Sequence, residues 1–311
     1  MVDSFYSDAM IEPLVSILVA NHNNAKYIGE ALDSIVNQTY SNIEIVVVDD
    51  ASTDDSVVVI EDFIKVHPDN RIYLFRNYYS FGCGKVKRKC ADIARGKYFA
   101  FLDPDDAIVD DAVEKLIRIH EQDNKYSIVY SSQWLCDENL KVQSKATWVG
   151  AIPTGCSNLT STKGHVSAFA LCKKSCYDQT EGINPNYVVA EDQDLYFKME
   201  EVAPVFFLDE PLYYYRKHDH NMSFDDDKET RNLYWLYQCR KAAYNRRKSN
   251  KTIPNTTSKA LMTLKLDYYL THAKSLRKSD KWYWGELFKA VPLMLLSVRK
   301  SVRKIKKIFE N

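Results

Sequence analysis

Three carboxylates stand within four positions at Asp103-Pro104-Asp105-Asp106, directly after the apolar run Tyr98 to Leu102. Clustered like charges repel unless something positive sits between them, and aspartate oxygens suit a hard cation such as Mg²⁺ or Mn²⁺. Pro104 stiffens the turn that presents them. A second acidic pair, Glu191-Asp192, can provide a general base. Asp49-Asp50 can accept from the N–H of a base or from ribose hydroxyls, Lys87 and Arg88 can pair a diphosphate, and His218 can ligate a metal or donate to a diphosphate. Each also has a plain structural reading: acids cap helices and favour their first turns, and charge runs cover solvated faces.

The elements around these residues follow from hydrophobic patterning. Leu14 to Ala20, Ile43 to Val48, Arg71 to Arg76, Tyr98 to Leu102 and Ser127 to Trp134 read as strands. Their starts are 27 to 29 residues apart, the length of a strand plus a crossover helix, which predicts a parallel α/β sheet with right-handed crossovers. Asn23 or Asn24 is placed to cap a helix carrying Ile28, Ala31, Leu32 and Ile35, and Ser52 with Asp55 resembles a capping box for a helix to about Val66. Gly82-Cys83-Gly84 opens a basic helix, and another runs to about Gln122. Three strands end in polar clusters, Asn21–Asn24, Asp49–Asp54 and Asp103–Asp106, which then share one edge of the sheet, where such folds bind ligands. From Lys141 the alternation stops. Thr147 to Lys163 reads as a loop over the site, Val166 to Cys172 as a strand, Ala190 onward as a helix, and Val205 to Leu208 and Leu212 to Arg216 as two short strands.

The 311 residues are 45% hydrophobic, enough for a full core, and carry no net charge. The charge is unevenly spread: residues 228–311 carry 21 Lys+Arg against 5 Asp+Glu, and residues 1–227 carry 21 against 37. An acidic body thus precedes a basic, helical tail. The seven cysteines form no Cys-x-x-Cys pair and read as reduced packing residues. No leader peptide or spanning segment is expected. In the tail, Val298, Val302, Ile305 and Phe309 recur at helical steps beside Arg299, Lys300, Arg303, Lys304, Lys306 and Lys307, the pattern of a helix lying in a membrane interface. A nucleic-acid partner fits poorly with the acidic body.

Five segments taken together resemble the inverting family 2 glycosyltransferases of the GT-A fold: Val15 to Asn23, Ala31 to Tyr40, Ile45 to Asp54, Ala94 to Asp106 and Glu191 to Leu195. The resemblance covers about residues 13–220. It implies a GT-A catalytic domain over 1–225, with nucleotide-sugar binding in about 13–135 and the acceptor part in about 136–225, followed by the helical region 226–311. It implies Asp50, with Asp49, as the nucleobase-binding acid, and Lys87 as the basic group reaching the nucleotide. Asp103 to Asp106 match the DXD region, with Asp103 and Asp105 contacting the nucleotide and Asp105, Asp106 and His218 holding Mn²⁺ or Mg²⁺. Asp192 matches the catalytic base, with Glu191 beside it, and Tyr215-Arg-Lys-His218 resembles a late motif closing over the diphosphate. Ala20 and His22 stand at the nucleobase edge where such enzymes often carry Thr or Pro and Tyr, and Cys83-Gly84 and Arg88 also depart from the commoner pattern. The implied reaction moves a sugar from a nucleotide-diphosphate sugar, with UDP favoured, to a glycan or lipid-linked acceptor. It would serve cell-surface polysaccharide synthesis at the cytoplasmic face of the membrane. Two rivals are a haloacid-dehalogenase-like phosphatase, from the strand followed by Asp103-Pro-Asp105, and a non-catalytic nucleotide-sugar-binding protein.

Overall fold

The computed structural model describes residues 12–161, 164–218 and 226–247, with 265–266, 268–270, 272, 289–290 and 292–293 beyond them. The first half alternates β1 (Val15–Asn21), α1 (Ile28–Val36), β2 (Ile43–Asp49), α2 (Ser56–Val66), β3 (Arg71–Arg76), α3 (Cys83–Ile93) and β4 (Tyr98–Phe101). Then follow β5 (Ala107–Ile108), α4 (Ala112–Gln122), β6 (Ile128–Cys136), β7 (Val142–Lys145), β8 (Ala170–Lys173), α5 (Lys174–Tyr177), α6 (Glu191–Val202), β9 (Val205–Arg216) and α7 (Asp226–Arg247).

Why β1 lies buried on both faces is visible in its side chains. Val15, Ile17 and Val19 join one core with Ile45 and Val47, while Leu18 joins another with Val46 and Val48. Alternate residues point to opposite faces, so a strand apolar at every position must be covered on both. Helix α1 buries the four positions expected of it, Ile28, Ala31, Leu32 and Ile35. Each large aliphatic chain so buried stabilises the fold by roughly 1.5–3 kcal/mol.

The sheet runs β3-β2-β1-β4-β8-β6-β9-β5, with β7 pairing β6. β3, β2, β1 and β4 are mutually parallel. The expected fifth parallel neighbour is displaced: β8 inserts between β4 and β6 and is antiparallel to both. Strand β6 keeps the common direction and pairs in parallel with β9. The two expected strands at 205–208 and 212–216 are one strand, because register shifts opposite Ser131, Ser132 and Gln133 absorb the polar Asp209-Glu210 without breaking the ladder. The strand expected over 166–172 is confined to β8.

Both expected helix caps are replaced. Tyr27 occupies the N-cap of α1 without a side-chain bond, and Asn24 instead accepts the Tyr27 and Ile28 N–H groups through its carbonyl. Ser52 Oγ turns back to Asp49 Oδ1 at 2.5 Å, and the Ser56 N–H donates to Asp54 Oδ1 at 3.0 Å. Ser52 is drawn to the sheet edge, while Asn24 and Asp54 take the first N–H groups of α1 and α2.

The loop from Thr147 packs against α6: the Asn158 N–H donates to Glu200 Oε1 at 2.7 Å, and Leu159 packs with Phe197. Helix α7 is fastened to α6 through Arg246 and Arg247, which pair with Glu201 and Glu200. Among the described residues no helix is long and apolar enough to cross a membrane. The basic stripe from Val298 to Phe309 and the residues before Glu12 lie outside the described residues.

Candidate active site

Register places the three polar clusters at one edge. Asn21 pairs with Asp49 across β1 and β2, and Leu18 with Phe101 across β1 and β4, so all three strands deliver their carboxyl ends together. That much follows from parallel pairing. What each carboxylate does there depends on its partners.

Asp50, 3% exposed, is a clamp. It accepts from Asn77 Nδ2 at 2.9 Å, Ser80 Oγ at 2.8 Å, the Phe81 N–H at 2.9 Å and the Gly82 N–H at 2.8 Å. Burial alone would raise its pKa, but these donors hold it below the usual aspartate value. Its carboxylate thus holds the loop that leads into α3. Asp49, 1% exposed, is likewise held by Asn21 Nδ2 at 2.8 Å and by Ser52. His22 is exposed, and its Nδ1–H donates to the Asp50 carbonyl at 2.8 Å, which leaves Nε2 as an acceptor. Ala20 is half-buried beside it at the end of β1.

The loop itself needs glycine at two points. Gly82 has φ +87°, and a Cβ on Gly84 would stand 2.4 Å from the Tyr187 carbonyl oxygen, so only glycine lets residues 184–187 close onto the start of α3.

That closure brings α3 against α6. Lys87, 9% exposed, places Nζ 2.9 Å from Glu191 Oε1 and 3.4 Å from Asp103 Oδ1. Burial opposes its charge, yet the two carboxylates more than compensate and keep it protonated. Glu191 also accepts from Cys83 Sγ at 3.3 Å. Burial opposes its charge, but the charge and hydrogen bond of Lys87, a backbone N–H and the Cys83 thiol together lower its pKa. Glu191 is thus a paired anion and a poor proton acceptor. Asp192 differs by one residue and by environment. It is half-buried and accepts the Gln193 N–H at 2.7 Å. Burial and the neighbouring Glu191 charge push its pKa up to about 6. A carboxylate with raised proton affinity, deprotonated at neutral pH, has the properties of a general base.

The turn after β4 divides its acids. Asp106, 2% exposed, accepts from the Tyr213 hydroxyl at 2.5 Å and the Arg216 N–H at 2.7 Å, which joins the turn to β9. Both oxygens of Asp106, expected to meet a metal, are hydrogen-bonded to β9 in this structure. Asp105 faces His218, whose Nε2 lies 3.0 Å from Oδ2. Burial and the Asp103 charge raise the Asp105 pKa, against the pull of His218. No group of three or more His, Cys, Asp or Glu among the described residues is arranged as a metal cage. The Asp105–His218 pair nonetheless fits a divalent ion shared with a substrate, since such ions bind through one or two protein groups plus phosphate oxygens.

Several residues the sequence did not single out hold this arrangement. Arg216, 1% exposed, donates from Nε to the Asp105 carbonyl, from Nη1 to the Glu138 carbonyl and from Nη2 to Glu30 Oε2, each at 2.6 Å. Its guanidinium lies 4.7 Å from the Tyr27 ring centroid, and the Tyr27 ring packs on His218 at 4.8 Å. Arg216 lies inside the Tyr215–His218 segment, which was its one signal. Nothing local marked Glu30 or Tyr27.

Comparison with known proteins agrees with this geometry. The family model "Glycosyl transferase family 2" matches residues 16–175. Chondroitin synthase of Escherichia coli is 29% identical over 212 residues, covering 68% of this chain and 30% of that protein. The chain spans about a third of the length of the curated relatives it matches first. TarS 1–349 of S. aureus, solved with UDP-GlcNAc, superposes with a TM-score of 0.59 at 18% identity over 83% of this chain and 81% of that one. The mannosyltransferase PcManGT of Pyrobaculum calidifontis, solved with GDP-Man and Mn²⁺, gives 0.62 at 16% identity over 92% and 81%. These two likenesses concern the GT-A fold. The phosphatase reading falls away, since its motif would sit on a first strand whereas this turn follows the fourth, and the match spans more than half of the sequence. On that match the chain belongs to glycosyl transferase family 2.

Proposed function

We propose that this glycosyltransferase is inverting and metal-dependent, taking its sugar from a nucleotide-diphosphate donor and passing it to a hydroxyl of a glycan or lipid-linked acceptor. The observation that carries the reading is Asp192. It combines a pKa raised to about 6 with a side chain still partly open to solvent, and it stands beside the Lys87–Asp103 bridge. The donors in the solved TarS and PcManGT complexes, UDP-GlcNAc and GDP-Man, support a nucleotide sugar here, and Mn²⁺ in the latter supports a divalent ion.

The acceptor hydroxyl has a pKa far above 7, so it becomes a competent nucleophile only as its proton passes to Asp192 Oδ. Attack from the face opposite the leaving diphosphate inverts the anomeric carbon in one displacement. A divalent ion, when bound by Asp105 and His218 with diphosphate oxygens, supplies positive charge to the leaving group. Lys87 adds a fixed cation on the same side. The nucleoside lies along the edge formed by Ala20, His22 and Asp49–Asp50. The basic stripe at 299–307 is assigned to an anionic membrane surface at the cytoplasmic face, each cation contributing about 1 kcal/mol.

A panel of nucleotide sugars tests this reading, scored by calorimetric binding and by slow donor hydrolysis with Mn²⁺ and with chelator. At least one donor is expected to bind and hydrolyse only with the metal. Binding and turnover unaffected by chelator would sink the metal assignment, and turnover with retained anomeric configuration would sink the single displacement.

A further inference from the structure

Helix α6 presents consecutive residues to different neighbours, since each step along an α-helix turns about 100°. Glu191 faces the donor turn through Lys87. Gln193 faces the opposite way, and its Nε2 donates to the Val166 carbonyl at 3.2 Å. Asp192 stands between them. On the glycosyl-transfer reading, with the donor on the Lys87 side, the Gln193 side is the one left to an acceptor.

That side carries polar groups the fold itself does not use. Leu159 and Ala190 share a buried cluster with Cys239 and Ala243 of α7, which presses the loop, the start of α6 and α7 together. At this seam Arg240 is half-buried. Among the described residues it has no hydrogen bond or ion pair, and its Nε is buried without a partner. The contrast with its own helix is sharp: Arg246 and Arg247 are paired to Glu201 and Glu200. His165 leaves Nδ1 unpartnered, and Asn158, 0% exposed, leaves Nδ2 unpartnered while its Oδ1 accepts the Val166 N–H at 3.1 Å. The Arg240 charge reaches His165: burial and then Arg240 lower the imidazole pKa. A desolvated guanidinium without a carboxylate is costly to keep, and an incoming oxyanion removes that cost.

We propose that Arg240, with His165 and Asn158, forms an oxyanion subsite on the acceptor side of α6, taking a carboxylate or phosphate carried by the acceptor. The inference rests on the glycosyl-transfer reading and adds to it the chemical class of the acceptor: an acidic one. Guanidinium binds either group through paired N–H donors, so the two sources share one chemistry.

The test uses the full chain, wild type, Arg240→Gln and Arg240→Lys. The first probe is inorganic phosphate, titrated calorimetrically in chelator. Its affinity is expected to fall about tenfold or more in Arg240→Gln and to be largely kept in Arg240→Lys. Equal affinity in wild type and Arg240→Gln overturns the subsite. Should Arg240→Gln fail to fold, a neutral Arg240→Met variant with the wild-type circular dichroism spectrum takes its place. The second measurement compares three acceptors: an oligosaccharide ending in a uronate, a polyprenyl diphosphate-linked sugar and a neutral oligosaccharide. Arg240→Gln is expected to raise KM about tenfold for one acidic acceptor, which names the source, and to leave the neutral acceptor and acceptor-free donor hydrolysis unchanged. Loss of donor hydrolysis in Arg240→Gln would overturn its place on the acceptor side. A wild-type protein that hydrolyses no donor defeats the glycosyl-transfer reading instead, and leaves the phosphate titration to stand or fall separately.

Discussion

Two carboxylates of the same edge, Asp50 at the end of β2 and Asp192 at the start of α6, have opposite fates. Asp50 gathers donors from Asn77, Ser80, Phe81 and Gly82 and is held ionised below the usual range. Asp192 takes the N–H of its own neighbour, and burial together with the adjacent Glu191 charge raises its pKa to about 6. A saturated carboxylate fixes structure, while an under-supplied one retains capacity for a proton. Asp106, one turn away, divides differently: it is bonded to Tyr213 and to the Arg216 N–H of β9, yet burial and the neighbouring acids raise its pKa well above the usual value, while Asp105 faces His218.

The largest expected effect breaks the reactive member. Asp192→Asn removes the base and should lower turnover by about 10²–10⁴-fold while donor affinity is kept. Near wild-type turnover on a working acceptor would end the assignment. In the wild type, transfer should rise with pH through about 6 as Asp192 loses its proton, measured as kcat/KM against pH.

Next comes the support of the Asp105–His218 pair. Arg216→Lys keeps the charge and loses the fork that reaches Asp105, Glu138 and Glu30 at once. Divalent-ion affinity in the presence of nucleotide diphosphate should weaken about 10–100-fold, read by Mn²⁺ electron paramagnetic resonance. Wild-type affinity would show that the strap does not position the pair.

Breaking the saturated member should cost stability more than chemistry. Asp50→Ala strands the Phe81 and Gly82 N–H groups and should destabilise by ~3 kcal/mol in urea unfolding. Because the folded pKa of Asp50 lies below its unfolded value, its contribution is complete above about pH 4 and is lost as pH falls through the depressed folded value. In Asp50→Ala the acid limb of the stability curve should flatten. A stability difference from wild type that stays constant from pH 3 to 7 would contradict the clamp.

The smallest effect has the opposite sign. Asp192 has a folded pKa raised above its unfolded value, so the folded state binds the extra proton between about 4 and 6, and stability declines as pH rises across that window. Asp192→Asn should therefore melt slightly higher than wild type at pH 7.5 and no higher at pH 3.5. A lower melting temperature at pH 7.5 would mean that the carboxylate is a structural asset there.

By itself the sequence determined the parallel half and the edge of the site. Runs such as Val15 to Val19 and Ile45 to Val48 carry their burial on every residue, and the steps of 27 to 29 residues leave room for one crossover each, so β1 to β4 and the polar clusters at their ends could be read locally. Tertiary structure decided the rest. The insertion of β8 between β4 and β6 depends on which strands complete each other's hydrogen bonds, and the four residues Ala170 to Lys173 do not encode a partner. Whether an aspartate is spent or available depends on donors brought from afar: Phe81 to Asp50, Arg216 to Asp106 and Lys87 to Glu191, across separations of 31, 110 and 104 positions. Arg216 and Glu30 meet across 186. Periodicity records only how a segment is buried. Pairing of this kind is set when the chain closes on itself, because a charge in the interior is stabilised by whichever partner the packing brings within reach.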